Sequence, residues 1–140
     1  DVLVVRRISS NKSEKAFYKI KVGDKLEVGG KIISISEVSK KMFKFTQDKS
    51  VEFVSGDSLK NSFEIRKWKA GDKFQPIGMN GTKKLSDFLS DEKTSSINKK
   101  DHLVLMNSGK IVWVIGFRID ERFKVTSETK KILKLTIADK

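Results

Sequence analysis

The apolar residues of this chain recur mostly in short runs that alternate with polar residues and are separated by glycine turns. Residues 16–38 show the pattern clearly: Tyr18, Ile20 and Val22 share one face, and two glycine turns follow, so a three-stranded meander is predicted. Further strands are predicted at Val2–Ile8, Met42–Thr46, Ser50–Val54, Phe63–Arg66, Leu103–Met106, Ile111–Phe117 and Leu133–Ile137. Because strands satisfy their backbone groups only by pairing, such a chain must fold into sheets.

A helical spacing interrupts the strand pattern at about residues 83–93. Leu85, Phe88 and Leu89 stand at i, i+3 and i+4 and form a single apolar stripe, and Thr82 is the predicted N-cap. We therefore expect a strand-dominated α+β fold. It would contain a mainly antiparallel sheet, or a partly open barrel, with one main helix near 83–93.

The segment that leads into this helix combines turn residues with positive charge. Lys83 and Lys84 fall in the predicted first turn, where unpaired backbone N–H groups and two ammonium groups would form an anion site. The alternative is that both lysines point into solvent. The shape of the preceding loop is expected to depend on Gly71, Pro76, Gly78 and Gly81.

The net charge is +12 and is unevenly distributed along the 140 residues. Residues 1–65 carry +4 and residues 66–140 carry +8. A basic excess concentrated in one half is typical of a surface that meets phosphates. The alternative is a lysine-rich genomic composition, since 25 of the 30 basic residues are lysine.

The residues needed for several kinds of catalysis are missing from the sequence. His102 is the sole histidine and there is no cysteine, so neither paired histidine ligands nor thiolate ligands for a metal are available. No glycine-rich phosphate loop occurs either. We predict no catalytic residue and no metal site in this chain, and an exposed His102.

The rest of the composition suggests a cytoplasmic protein without a membrane segment. No apolar run approaches the roughly 20 residues that span a bilayer, and the lack of cysteine fits a reducing compartment. Because the first residue is Asp1 rather than Met, we expect the chain to be part of a longer protein.

Three aromatic residues, Trp68, Phe74 and Trp113, are candidates for stacking on unpaired bases. Trp113 lies within an apolar strand, which favours a place in the core. Trp68 stands between two lysines, so base stacking and coverage of a sheet end both stay open. After the apolar strand, Arg118 and Arg122 flank two carboxylates; structural pairing is favoured there, with phosphate binding as the alternative.

Four runs from Trp68 to Phe123 recur in the same order as in a known family. They are Trp68–Phe74 (Trp-Lys-Ala-Gly-Asp-Lys-Phe), Pro76–Leu89, Trp113–Gly116 (Trp-Val-Ile-Gly) and Arg118–Phe123 (Arg-Ile-Asp-Glu-Arg-Phe). With them, residues 66–137 closely resemble the C-terminal domain of tRNA(Ile)-lysidine synthetase. Residues 1–65 resemble, more weakly, the β-rich region that precedes this domain in the family. The resemblance implies a division into a lead-in, 1–65, and a tRNA-binding domain, 66–140.

The resemblance also implies a function for the longer protein. Members of the family are ligases that use ATP, with magnesium, and lysine to convert the wobble cytidine of tRNA(Ile) with the CAU anticodon to lysidine. That chemistry belongs to a PP-loop domain whose Ser-Gly-Gly-x-Asp-Ser motif is absent here, so this chain alone is expected to bind no cofactor and to be inactive. The implied role is to bind the acceptor-stem region of tRNA(Ile). The candidate RNA contacts are Arg66, Lys69, Lys73, Lys83, Lys84, Arg118 and Arg122.

A second hypothesis is a protein-interaction module that docks on its own enzyme or forms a homodimer. Exposed sheet edges and the apolar residues of segment 1–65 would serve that role. Salt-sensitive RNA binding by a monomer would separate the first hypothesis from the second.

Overall fold

The computed structural model describes the backbone of residues 4–7 and the whole of residues 17–44, 48–92 and 99–140. The strands are β1 (Val4–Arg7), β2 (Tyr18–Lys21), β3 (Asp24–Val28), β4 (Lys31–Val38), β5 (Val51–Ser55), β6 (Ser62–Lys67), β7 (Lys73–Phe74), β8 (Lys83–Lys84), β9 (Leu103–Asn107), β10 (Lys110–Val114), β11 (Arg118–Ile119) and β12 (Ile132–Asp139). The helices are α1 (Leu85–Asp91) and short 3-10 turns at Lys40–Met42 and Glu121–Phe123.

Ten of these strands form two five-stranded sheets. The first has the order β1-β3-β4-β12-β5 and the second the order β11-β10-β9-β6-β2, while β7 and β8 form a separate ribbon. Every pairing is antiparallel except that of β1 with β3. The predicted strand-dominated α+β class is confirmed, and among the described residues neither sheet closes into a barrel.

Both sheets contain strands from both halves of the sequence. β12 pairs with β4 on one side and with β5 on the other, and β2 pairs with β6. Residues distant in sequence therefore share the same hydrogen-bonded ladders.

The main core lies between the two sheets. Its buried residues come from both of them: Ile33, Ile35, Val54, Leu133 and Leu135 from the first, and Ile20, Phe63, Ile65, Leu105 and Trp113 from the second. Trp113 is fully buried, so the prediction that it belongs to the core is confirmed. Burial of this many large apolar side chains is the main favourable term in the stability of the fold.

A second core lies on the opposite face of the second sheet. Val104, Met106, Ile111 and Val114 of β9 and β10 pack there against Phe74 of β7 and Leu85, Phe88 and Leu89 of α1. The second sheet is thus covered on both faces, which explains why residues 111–115 contain no polar side chain. The arrangement has three layers, and the outer layer is α1 with the β7–β8 ribbon.

Three of the strand predictions differ from the structure. Residues 16–38 do not form a meander, because β2 belongs to the second sheet while β3 and β4 pair in the first. Met42–Thr46 was predicted as a strand, but Met42 ends a 3-10 turn, and residues 45–47 lie outside the described residues. Ile111–Phe117 was predicted too long, since the strand ends at Val114 and a turn closed by Phe117 N–H to the Val114 carbonyl returns the chain into β11.

The helix is shorter than predicted and begins two residues later. Thr82 is not the N-cap, because Lys83 and Lys84 pair with β7 and Lys84 takes the N-cap position. The first helical N–H, that of Leu85, is satisfied by the carbonyl oxygen of Asp72 at 2.9 Å. The predicted apolar stripe of α1 is confirmed, since its three residues are all buried.

Candidate nucleic-acid interface

Two lysines face one another on the outer ribbon. In the antiparallel pairing of β7 with β8, Lys73 is directly opposite Lys84, and both side chains are exposed. Among the described residues neither lysine forms an ion pair or a side-chain hydrogen bond. Like charges directly opposite in a sheet destabilise it. An anion bound between them would remove that repulsion. We call this pair of strands the basic ribbon.

Asp72 fixes the turn that enters the basic ribbon. Its carboxylate accepts hydrogen bonds from both terminal nitrogens of Arg66, at 2.8 and 3.2 Å, and from the backbone N–H of Lys69 at 2.7 Å. Burial opposes ionisation of Asp72, but the hydrogen bonds and charges of Arg66 and Lys69 outweigh it and lower the pKa of this carboxyl. The Asp72 carbonyl also holds α1, so one residue orients both the turn and the helix.

Asp120 performs the same task for the loop between β7 and β8. This fully buried carboxylate accepts hydrogen bonds from the backbone N–H of Gln75 at 3.0 Å and of Arg122 at 2.8 Å. The Arg122 guanidinium adds two more, at 2.9 and 3.0 Å, and this hydrogen bonding raises the pKa of Arg122. Pro76 forms an isolated β-bridge with Asp120, which places the loop against the end of the second sheet.

Two turns in this region require a positive φ. The Asp72 N–H bonds to the Lys69 carbonyl, and the Met79 N–H bonds to the Pro76 carbonyl, so Gly71 and Gly78 are the third residues of two β-turns. Their φ values are +94° and +82°, a conformation that residues with a side chain seldom adopt. The remaining predicted loop glycine, Gly81, has φ +86°.

The seven predicted RNA contacts fall into two groups. Lys69, Lys73 and Lys84 are exposed cations on or beside the basic ribbon. The other four have protein partners: Arg66 binds Asp72, Arg122 binds Asp120, Lys83 binds Asp91, and Arg118 donates to the Ile77 carbonyl at 3.5 Å. The favoured interpretation of Arg118 and Arg122, pairing with a carboxylate or a carbonyl, matches this geometry.

The predicted stacking residues have other roles in the structure. Phe74 is 1% exposed and packs edge-on against Phe88, so it cannot meet a base. Trp68 is half-buried on the second core; its indole N–H donates to the Lys99 carbonyl, which matches the alternative that it covers a sheet end. The Lys99 ammonium lies 5.8 Å from its ring centroid.

His102 was predicted to be exposed, and this is wrong. Its ring stacks on Phe117, with centroids 4.9 Å apart, and its Nε2 lies 2.8 Å from the Ile115 carbonyl oxygen. Burial lowers the pKa of His102, and the bond to the carbonyl opposes that shift. The turn that ends β10 brings Ile115 and Phe117 to His102, and no local sequence pattern predicts these contacts.

A cleft of about 750 Å³ lies where β5 of the first sheet approaches β11 of the second. We call it the Phe117 cleft. Its lining residues are Phe43, Lys44, Lys49, Glu52, Phe53, Ile77, Phe117, Arg118, Ile119, Lys124 and Val125. Of these, only Arg118 was predicted from the sequence, because the others come from three separate segments that no motif connects.

Glu52 is the acidic residue of the Phe117 cleft. Burial raises the pKa of its carboxyl to about 7, an effect that Arg118 opposes and Asp48 reinforces. Between about pH 4.5 and 7 the folded protein therefore binds more protons at Glu52 than the unfolded chain does. The contribution of this group to the free energy of unfolding must then fall as pH rises through that window.

We expect Glu52→Gln to remove this pH dependence. At pH 8 the variant should be about 1–2 kcal/mol more stable than the original chain, a figure reduced from the full pKa difference because Glu52 is partly solvated. At pH 4.5 the two should be nearly equal. Urea unfolding of both chains at both pH values measures this difference. The lowered pKa of His102 makes the free energy of unfolding rise with pH below about 6.5, but His102 is present in both chains, so its contribution cancels. An equal difference at both pH values would contradict the assignment.

The described part of the chain holds neither a candidate metal centre nor a candidate membrane-spanning helix. There, no three His, Cys, Asp or Glu side chains converge on a point where a metal ion could bind. No helix over the same residues has the length and apolar character needed to cross a bilayer.

Known proteins are similar to this chain, and the matched family model includes the basic ribbon. A model of the family described as the TilS substrate C-terminal domain matches residues 63–136. The tRNA(Ile)-lysidine synthase of Parabacteroides distasonis is 42% identical over 91 residues, which are 65% of this chain and 21% of that protein. The synthase of Caldanaerobacter subterraneus subsp. tengcongensis is 38% identical over 103 residues, 73% of this chain and 21% of that protein. The chain thus spans about a fifth of the length of the curated relatives it matches.

Two solved structures share the fold. A crystal structure of a TilS C-terminal domain superimposes with a TM-score of 0.75 at 19% identity, covering 88% of this chain and 97% of that one. An N-terminal fragment of the phenylalanyl-tRNA synthetase β-subunit from Pyrococcus horikoshii gives a TM-score of 0.56 at 18% identity, over 64% of this chain and 28% of that one. Since the family model covers more than half of the sequence, the chain belongs to the TilS substrate C-terminal domain family.

Proposed function

We propose that this chain binds the acceptor-stem region of tRNA(Ile) on behalf of a tRNA(Ile)-lysidine synthase catalytic domain. In this proposal the catalytic domain uses ATP and lysine, and this chain binds the RNA. The observation that carries the proposal is the basic ribbon, where Lys73 and Lys84 face each other in solvent without a carboxylate partner among the described residues. The names of the matched relatives support the choice of tRNA as the ligand.

The geometry of the ribbon suits a duplex more than a small ligand. The ribbon lies in the outer layer of the fold with Lys73 and Lys84 exposed, so both ammonium groups can meet phosphates along an RNA backbone. A-form RNA is recognised mainly through its phosphates, its 2′-hydroxyls and its shape. Lys69 stands in the adjacent turn, which the Asp72 hydrogen bonds hold in place, and it extends the positive surface.

Replacing Lys73 and Lys84 together by alanine is expected to weaken tRNA binding by about 1 kcal/mol per lost phosphate contact. The slope of log K against log salt should become shallower by about two, because two fewer counterions are released. Filter binding of tRNA over a range of salt concentrations measures both quantities.

Two controls separate a local contact from the loss of net charge. Lys31→Ala with Lys140→Ala also removes two charges, but these lysines are ion-paired with Asp139 and Glu27, away from the ribbon. Lys83→Ala removes a ribbon lysine that already pairs with Asp91, so it should weaken tRNA binding less than the loss of Lys73 or Lys84 does. If the control double variant flattens the salt slope as much as the ribbon variant does, binding is diffuse and the ribbon assignment fails. Salt-insensitive self-association without RNA binding, seen by sedimentation, would favour the interaction-module alternative instead.

A further inference from the structure

The Phe117 cleft is distinct in its chemistry from the basic ribbon. Three phenylalanine rings line it together with four cations, Lys44, Lys49, Arg118 and Lys124, and one carboxylate, Glu52. The ribbon, by contrast, has lysines and no exposed aromatic ring. A mixture of aromatic faces and basic groups is what single-stranded nucleic-acid sites use, because bases stack on the rings and phosphates pair with the cations.

The aromatic lining comes from both sides of the cleft. Phe53 belongs to β5 of the first sheet, and Phe43 packs edge-on against it with ring centroids 5.5 Å apart at 90°. Phe117 lies in the turn between β10 and β11 of the second sheet. His102 already stacks on Phe117, and the Lys49 ammonium lies 5.9 Å from the Phe117 centroid. All three rings are only partly buried, so part of each reaches the cleft.

The charge of the lining favours an anionic occupant. Arg118 forms no ion pair within 4 Å among the described residues, and its hydrogen bond to Ile77 is long, at 3.5 Å. Lys49 lies 3.4 Å from Glu92 and Lys124 is ion-paired with Glu121, yet both lysines remain about half exposed, and Lys44 and Arg118 have no such partner among the described residues. The negative charge of Glu52 is incomplete near neutral pH, since burial raises its pKa to about 7. The balance is therefore positive.

Size and position point to one nucleotide rather than a duplex. About 750 Å³ is within the range of roughly 300–1,000 Å³ that small-molecule sites occupy, and it is too small for an A-form helix. Bases in a duplex are also stacked on each other and cannot offer a face to Phe43 or Phe117. Ile77 lines the cleft and belongs to the loop between β7 and β8, so the cleft adjoins the basic ribbon.

We propose that the Phe117 cleft takes an unpaired nucleotide of the RNA whose duplex lies on the basic ribbon, with the base against the phenylalanine rings and the phosphate near Arg118. This rests on the proposed function and adds to it a second site for single-stranded RNA. The strand that extends beyond an acceptor stem has the required chemistry.

The test compares two RNA hairpins with the same duplex, one blunt and one with a short single-stranded 3′ overhang. The 140-residue chain should bind the overhang hairpin about tenfold more tightly, the order of magnitude that one stacked base provides. Phe43→Leu and Phe53→Leu keep apolar bulk and net charge but remove a ring face. Each should abolish most of that gain while the affinity for the blunt hairpin stays the same.

Phe17→Leu is the matched control. Phe17 is an exposed ring outside the cleft, 41% exposed, with the Lys19 ammonium 6.0 Å from its centroid. Its replacement should leave the gain intact. Equal binding of the two hairpins by the unaltered chain would overturn the cleft proposal while leaving duplex binding in place. A gain that survives both cleft variants would overturn it too, and absence of binding to either hairpin would overturn the proposed function with it.

Discussion

Replacing Asp120 by alanine is expected to lower the free energy of unfolding by about 3 kcal/mol. The carboxylate is fully buried and accepts four hydrogen bonds, from Gln75 N–H and from three nitrogens of Arg122. Alanine would leave the two backbone N–H groups without an acceptor. The loop between β7 and β8 would also lose its main attachment to the second sheet. Urea unfolding of the two chains measures the difference.

Two further variants make this result interpretable. Asp120→Asn keeps one acceptor oxygen but no charge, and it should lower the free energy of unfolding less than Asp120→Ala does. Asp139→Ala removes a carboxylate whose ion pair with Lys31 is largely exposed, and exposed pairs contribute at most about 1 kcal/mol. If Asp120→Ala costs no more than Asp139→Ala, the buried carboxylate does not anchor the loop.

Phe88→Ala should cost even more, about 3–5 kcal/mol of unfolding free energy. Phe88 is 2% exposed and packs edge-on against Phe74 at 5.0 Å and against Phe117 at 6.2 Å between centroids. It therefore joins α1, the basic ribbon and the turn beside the cleft. Thermal or urea unfolding gives the loss, and RNA binding measured under conditions where the variant is folded should also weaken, because the ribbon loses its support.

The controls for Phe88 vary volume and location. Phe88→Leu keeps most of the apolar volume and should cost about 1–1.5 kcal/mol. Phe17→Ala truncates an exposed ring and should change stability by no more than about 0.5 kcal/mol. Similar losses for Phe88→Ala and Phe17→Ala would mean that the second core does not hold the outer layer.

Local patterns predicted most of the strands because a strand is recognisable from its own residues. β12 and the apolar stripe of α1 follow directly from spacing, as does the burial of Trp113. Partners in a sheet are set by residues far away in sequence. Nothing in the sequence of β2 indicates that it leaves β3 and pairs with β6 instead.

The lysines that precede α1 show how tertiary pairing overrides a local pattern. The sequence predicts that Lys83 and Lys84 form the first helical turn, yet they pair with Lys73 and Phe74 of β7. The Asp72 carbonyl then supplies the acceptor that the predicted cap Thr82 would have provided. A backbone acceptor from a distant turn leaves no trace in the helix sequence.

The sequence by itself determined the strand-rich class, the excess of positive charge in residues 66–140 and the motifs that define the family. The tertiary structure decided which of those charges remain available. It neutralises Arg66 and Arg122 with Asp72 and Asp120, leaves Lys73 facing Lys84, and assembles the Phe117 cleft from three distant segments. The physical reason is that an ion pair, an unpaired charge or a cleft depends on distances of a few ångströms between side chains, and a sequence pattern does not specify those distances.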